Sequence, residues 1–96
     1  MKCRYTRNAE AEFEQSVEYL IEHAPHVAGK FADSIDDAIQ KILEHPYSAQ
    51  ETEKPGVLRK YVSGFRYSIF YTVDTKSDEL VILNIRHAAR RWPWQG

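Results

Sequence analysis

The chain has one cysteine, Cys3, which excludes an internal disulfide framework and any zinc site built from cysteine ligands. It has no apolar run near the roughly 18 residues of a membrane span, and no signal-peptide core follows Met1. No internal repeat or low-complexity segment interrupts it. What remains is an ordinary globular balance, 43% hydrophobic and 28% charged, which argues against disorder. Its 96 residues suit one compact domain, expected over 1–96. A chain of this size buries roughly 60–70% of the surface its unfolded form exposes. The expectation is a soluble cytoplasmic protein without membrane contact, metal or cofactor.

Net charge is also scarce, −1 at neutral pH, but this value hides a division. Residues 1–53 hold five Lys/Arg against eleven Asp/Glu, and residues 54–96 hold eight against three. Such asymmetry points to an anionic partner for the basic half.

The opening Lys2-Cys3-Arg4-Tyr5-Thr6 alternates polar and apolar, as a short strand does. Asn8 is a good N-cap, and Glu10 and Glu12 suit the positive end of a helix dipole. Phe13, Val17, Leu20, Ile21 and Ala24 form an apolar stripe that ends near Pro25. A second stripe runs Val27, Phe31, Ile35, Ala38, Ile39, Ile42 and Leu43 until Pro46 stops it. Two helices so close in sequence should fold back as an antiparallel hairpin.

Residues 46–56 have breaker residues and no period, so they read as an exposed connection. Beyond them the period changes from 3.6 to 2. Val57 to Val62 is a strand candidate, with a turn at Ser63-Gly64. Tyr67, Ile69, Tyr71 and Val73 then alternate with Arg66, Ser68, Phe70 and Thr72. Leu80 to Ile85 is apolar apart from Asn84, as befits a central strand buried on both faces. The order is β-α-α-β-β-β. The expected class is α+β, with an antiparallel helical hairpin packed on a mainly antiparallel sheet.

Three segments carry a resemblance: "AEAEFEQSVEYL" with "ILEHP", then "GVLRKYVSGFRYSIFYTV", then "ELVILNIRHAARRW". Their order and spacing resemble the RelE/ParE toxin superfamily of type II toxin–antitoxin modules, with an RH-x-x-R ending like that of ParE-type members. The resemblance spans Tyr5 to about Arg91. It implies a toxin held inactive by a cognate antitoxin. ParE-type members inhibit DNA gyrase, whereas RelE-type members are ribosome-dependent mRNA endoribonucleases. A shared fold does not choose between them.

Ribonuclease chemistry at a 2′-OH needs a base, a cation for the phosphorane and an acid for the leaving oxygen. The resemblance would give these tasks to Arg66 and His87. Parity puts Arg66 on the polar face of its strand, where it would bind phosphate, pair with an antitoxin or simply be solvated. His87 follows the last strand among cations that favour its neutral form, either as a proton carrier or as a strand-end residue. The RelE-type pattern also uses a C-terminal tyrosine, and this tail reads Trp92-Pro93-Trp94. His23, His26 and His45 lie at helix ends without ligand spacing.

Arg86, Arg90 and Arg91 form the densest basic cluster, suited to a phosphate backbone, to an acidic protein surface or to the chain's own acidic helices. Arg59 and Lys60 point to opposite faces of their strand, so at most one joins Arg66. Trp92 and Trp94 either anchor a partner or fold back over the sheet. Cys3 reads as a small apolar residue. The reading is therefore a ParE-like toxin that binds gyrase or its antitoxin through Arg59, Lys60, Arg66, Arg86, Arg90, Arg91, Trp92 and Trp94. The competing readings are an endoribonuclease using Arg66 and His87 on ribosome-bound mRNA, and a non-toxic family member that only binds a partner.

Overall fold

Strand β1 (Lys2–Tyr5) runs straight into helix α1 (Arg7–His23), and Thr6 between them joins both to the sheet. The Thr6 hydroxyl accepts the Ala9 N–H and donates to the Leu83 carbonyl, each at 3.1 Å. Thr6 is thus the N-cap, and Asn8, the expected cap, lies inside the first turn. The long-range bond to Leu83 accounts for the difference, because Thr6 is also the residue that continues the strand pairing, donating its N–H to the Ile82 carbonyl. The computed structural model describes residues 1–94. Gln95 and Gly96, the last two of the expected domain, lie outside the described residues.

Helix α1 buries Ala9 and packs Phe13, Val17 and Leu20 against the core. Ile21 is 56% exposed, contrary to its place in the expected stripe. It sits about 100° around the helix from Leu20, outside the buried sector. Ala24 alone separates α1 from α2 (Pro25–Glu44), and Pro25 takes the first helical position, where its missing N–H costs nothing. Helix α2 buries Phe31, Ile35, Ala38, Ile39 and Ile42. The Phe31 ring meets Phe13, Phe65 and Tyr67 at 4.7–6.0 Å.

Four further strands follow: β2 (Gln50–Glu51), β3 (Leu58–Val62), β4 (Tyr67–Asp74) and β5 (Glu79–His87). Strand β2 falls within the expected exposed connection, where two residues are too few to show a period. The sheet order is β1-β5-β4-β3-β2, with β1 parallel to β5 and every other pair antiparallel. The expected α+β class, with a helical hairpin on a mainly antiparallel sheet, is the observed one, and β5 lies between β1 and β4 as its apolar run required.

The helices cover the face bearing Ile69, Tyr71, Leu80, Ile82 and Ile85, all essentially inaccessible. A register shift between Phe70 and Tyr71 leaves Leu83 as an extra residue, so Asn84 pairs with Phe70 and Tyr71 with Ile82. Without this bulge, the alternation along β5 would not place both Ile82 and Ile85 in the core. Among the described residues, no helix is long and apolar enough to cross a membrane.

Candidate functional site

Strand β1 covers the edge of β5 only as far as Ile82. Beyond that point α1 takes over, and Glu12 lies where the next backbone donors would be unpaired. Glu12 Oε1 accepts from Asn84 Nδ2 at 2.9 Å and from the Ile85 N–H at 3.2 Å, and Oε2 accepts from Arg86 Nε at 2.6 Å. The pair is partly buried, with 22% of the Arg86 side chain and 11% of the Glu12 side chain exposed. Arg86, one of the three strand-end cations, is thereby neutralised by the chain's own helix. Its NH1 also donates to the Arg91 carbonyl at 3.0 Å.

Past β5 the backbone turns tightly. Arg90 N–H donates to the His87 carbonyl at 3.0 Å, and Ala88 N–H to the Arg66 carbonyl at 2.7 Å. The second bond brings Arg66 and His87 to one end of the sheet. Arg66 is not a strand residue, however. It occupies the turn before β4 with φ +57°, so strand parity does not set its direction. Its side chain is exposed.

His87 Nδ1 faces the Ala89 N–H at 3.0 Å, and its ring meets Tyr67 edge-on at 5.3 Å. A nitrogen that accepts a backbone N–H has no proton of its own. The neutral ring therefore carries its proton on Nε2, and neither nitrogen is a free base in this arrangement.

A shallow cavity of about 50 Å³ lies on the outer sheet face, lined by Arg59, Ser68, Arg86, His87, Arg90 and Trp92 among others. Arg66 does not line it. The Arg59 side chain lies on this face: Nε donates to Ser68 Oγ at 2.8 Å and NH1 to Gln50 Oε1 at 3.0 Å. Its guanidinium also sits over the rings of Tyr61 and Trp92. Lys60 lines a separate groove with Asp37 and Lys41 from α2, so the expected division of Arg59 and Lys60 between faces is observed.

Trp92 and Trp94 fold back over the sheet. Each ring packs against Phe70, at 5.5 and 5.6 Å, and the two indoles meet at 5.4 Å. Trp94 Nε1 donates to Glu53 Oε1 at 2.7 Å. This cover explains why Phe70, on the mixed face of β4, is only 1% exposed. Arg90 and Arg91 remain on the surface at the strand end. Burial pushes the Cys3 thiol above its usual range, which favours the protonated form.

Glu12, Glu53, Ser68 and Phe70 belong to this region without having been singled out as site residues. Glu12 does carry a sequence signal. It lies three residues after Ala9 and one before Phe13, so a carboxylate flanks the buried stripe and needs a partner.

The geometry describes a small α+β domain whose basic strand end is braced by an acidic helix and an aromatic tail. Residues 3–92 match the model of the ParE toxin of the type II toxin–antitoxin system parDE. The chain belongs to that family, within the RelE/ParE superfamily of type II toxins. Among solved structures it resembles the chromosomal ParDE system from P. aeruginosa, with TM-score 0.78 and 21% identity over 91% of this chain and 95% of that one. The intact E. coli RelBE toxin–antitoxin complex matches with TM-score 0.67 and 13% identity, covering 93% and 98%. A YoeB/ParE toxin from Agrobacterium tumefaciens matches with TM-score 0.61 and 14% identity, covering 91% and 98%. No curated protein matches the chain significantly by sequence.

Proposed function

We propose that this toxin acts by binding, inhibiting DNA gyrase through its basic strand end, and that a cognate antitoxin covers that surface in the cytoplasm. The observation that carries the choice of binding over RNA cleavage is the His87 imidazole. Its Nδ1 accepts the Ala89 N–H, and Arg66, the cation that the resemblance would pair with it, does not line the cavity that His87 lines, which supports binding over cleavage. The ParE family match supports the ParE-like reading, for which the resemblance implies gyrase as the target. The solved neighbours from P. aeruginosa and E. coli are toxin–antitoxin systems, which supports an antitoxin as partner.

Surface charge indicates the form of that antitoxin. Acidic residues on its wrapping segment suit Arg90 and Arg91. Basic residues suit the stretch that crosses α1, where Glu10, Glu14, Glu18 and Glu22 are exposed. The deciding experiment is a paired assay on purified toxin: gyrase supercoiling, and mRNA cleavage on translating ribosomes. Inhibited supercoiling with intact mRNA is the expected result. Unchanged supercoiling with cut mRNA would overturn the reading in favour of an endoribonuclease, and growth unaffected by expression without antitoxin would point to a silent partner-binding member.

A further inference from the structure

The C-terminal segment is held at two points, one by Arg86 close by in sequence and one by Glu53 far from it. At its start, one guanidinium makes two bonds: Arg86 Nε to Glu12 and Arg86 NH1 to the Arg91 carbonyl. Near its end, Trp94 is tied to Glu53. Between these anchors, Trp92 and Trp94 pack with Phe70. Glu12 is itself fixed by the sheet, because Asn84 and the Ile85 N–H orient its carboxylate. A continuous path thus runs from the β5 edge through Glu12 and Arg86 to the backbone of the tail.

We propose that Glu12 is a positioning residue: acting through Arg86, it fixes residues 91–94 as a strap across the outer sheet face, and so sets where Arg90 meets an acidic protein surface. The strap stands on the bonds above, while the presentation of Arg90 rests on the gyrase reading. The planar fork of arginine is essential to the path. A lysine at position 86 would keep the charge opposite Glu12 but could not hold the carboxylate and the Arg91 carbonyl in the same fixed geometry. Losing a charge-assisted bond of this kind shifts a local equilibrium by about tenfold.

The protein offers a direct readout, since its two tryptophans both lie in the strap. In the full-length chain, Arg86→Lys and Glu12→Gln should shift tryptophan emission to the red and increase acrylamide quenching, with far-UV circular dichroism and a cooperative melt retained. Arg90→Ala should leave the emission unchanged and weaken gyrase inhibition by about tenfold, the scale of one charged contact. Arg86→Lys decides the matter if Glu12→Gln fails to fold. A folded Arg86→Lys protein with wild-type emission and quenching overturns the strap. A loosened strap with undiminished gyrase inhibition overturns the positioning role. If the wild-type protein leaves gyrase untouched, the gyrase reading falls and takes the Arg90 half with it, while emission still decides the strap.

Discussion

Tyr71 is the largest fully buried side chain, and its hydroxyl donates to the Pro46 carbonyl at 2.7 Å. That bond ties the middle of β4 to the segment leaving α2. Tyr71→Phe removes the donor and leaves a half-buried carbonyl without its partner. An unmet buried acceptor costs about 1–3 kcal/mol, and the partial exposure of Pro46 favours the lower part of that range. For a domain of this size, about 1–2 kcal/mol lowers Tm by roughly 5–15 °C. Urea unfolding at pH 7 should show a lower midpoint with an unchanged slope. The pH dependence gives a second check. Burial raises the Tyr71 pKa from 10.0 to about 12, so folding favours the protonated phenol. Its contribution is complete below pH 10, where the unfolded chain also keeps the proton, and is lost as the pH rises from 10 to about 12. The gap between wild type and Tyr71→Phe should therefore narrow above pH 10. Tyr5 is also raised to about 12, by burial first and then by the charges of Cys3 and Asp36, so the variant should lose part of the alkaline slope, not all of it. Equal midpoints at pH 7, or a gap that widens above pH 10, would refute the reasoning.

Thr6→Ala removes the α1 cap and the bond to Leu83 together, and should cost about 1–2 kcal/mol in chemical denaturation, whereas Asn8→Ala should cost less than half of that. Phe31→Ala leaves a cavity among Phe13, Phe65 and Tyr67 and should cost about 3–5 kcal/mol, enough to lose the cooperative melt at 37 °C in a marginal domain. Arg90→Glu should leave Tm within a few degrees of wild type but slow association with an acidic partner at low salt. That difference should shrink near 1 M salt, where the Debye length is about 3 Å, as stopped-flow mixing would register.

Periodicity made most of the fold legible. Both helices, the three longer strands of the second half and the central place of β5 followed from spacing alone, because each element buries one face or two. Local patterns stop being informative where long-range bonds decide. Thr6 and Asn8 are both competent caps, and a carbonyl 77 residues away selects Thr6. Arg66 looked like a strand residue by alternation, yet the turn from Ser63 extends through it in a left-handed conformation. The pairing of Glu12 with Arg86 spans 74 residues and has no periodic signature. The flank of the α1 stripe marked Glu12 as needing a partner, but only the bulge at Leu83 and the short β1 edge determine which partner it meets.

The charge division takes on physical meaning through that pair. Arg86 is neutralised by Glu12, so the strand-end cluster presents less positive charge than its three arginines imply. Among the described residues, Glu10, Glu14, Glu18 and Glu22 form no ion pair, so α1 keeps most of its acidic field. The two fields therefore persist side by side in the folded chain, with Arg86 tied to the helix. A partner that covers both surfaces must alternate in sign along its length, because like charge against either surface costs binding energy. A target that needs only the strand end can be uniformly acidic. The same division thus separates what an antitoxin must match from what a target must match, and Arg90 lies where the two requirements coincide.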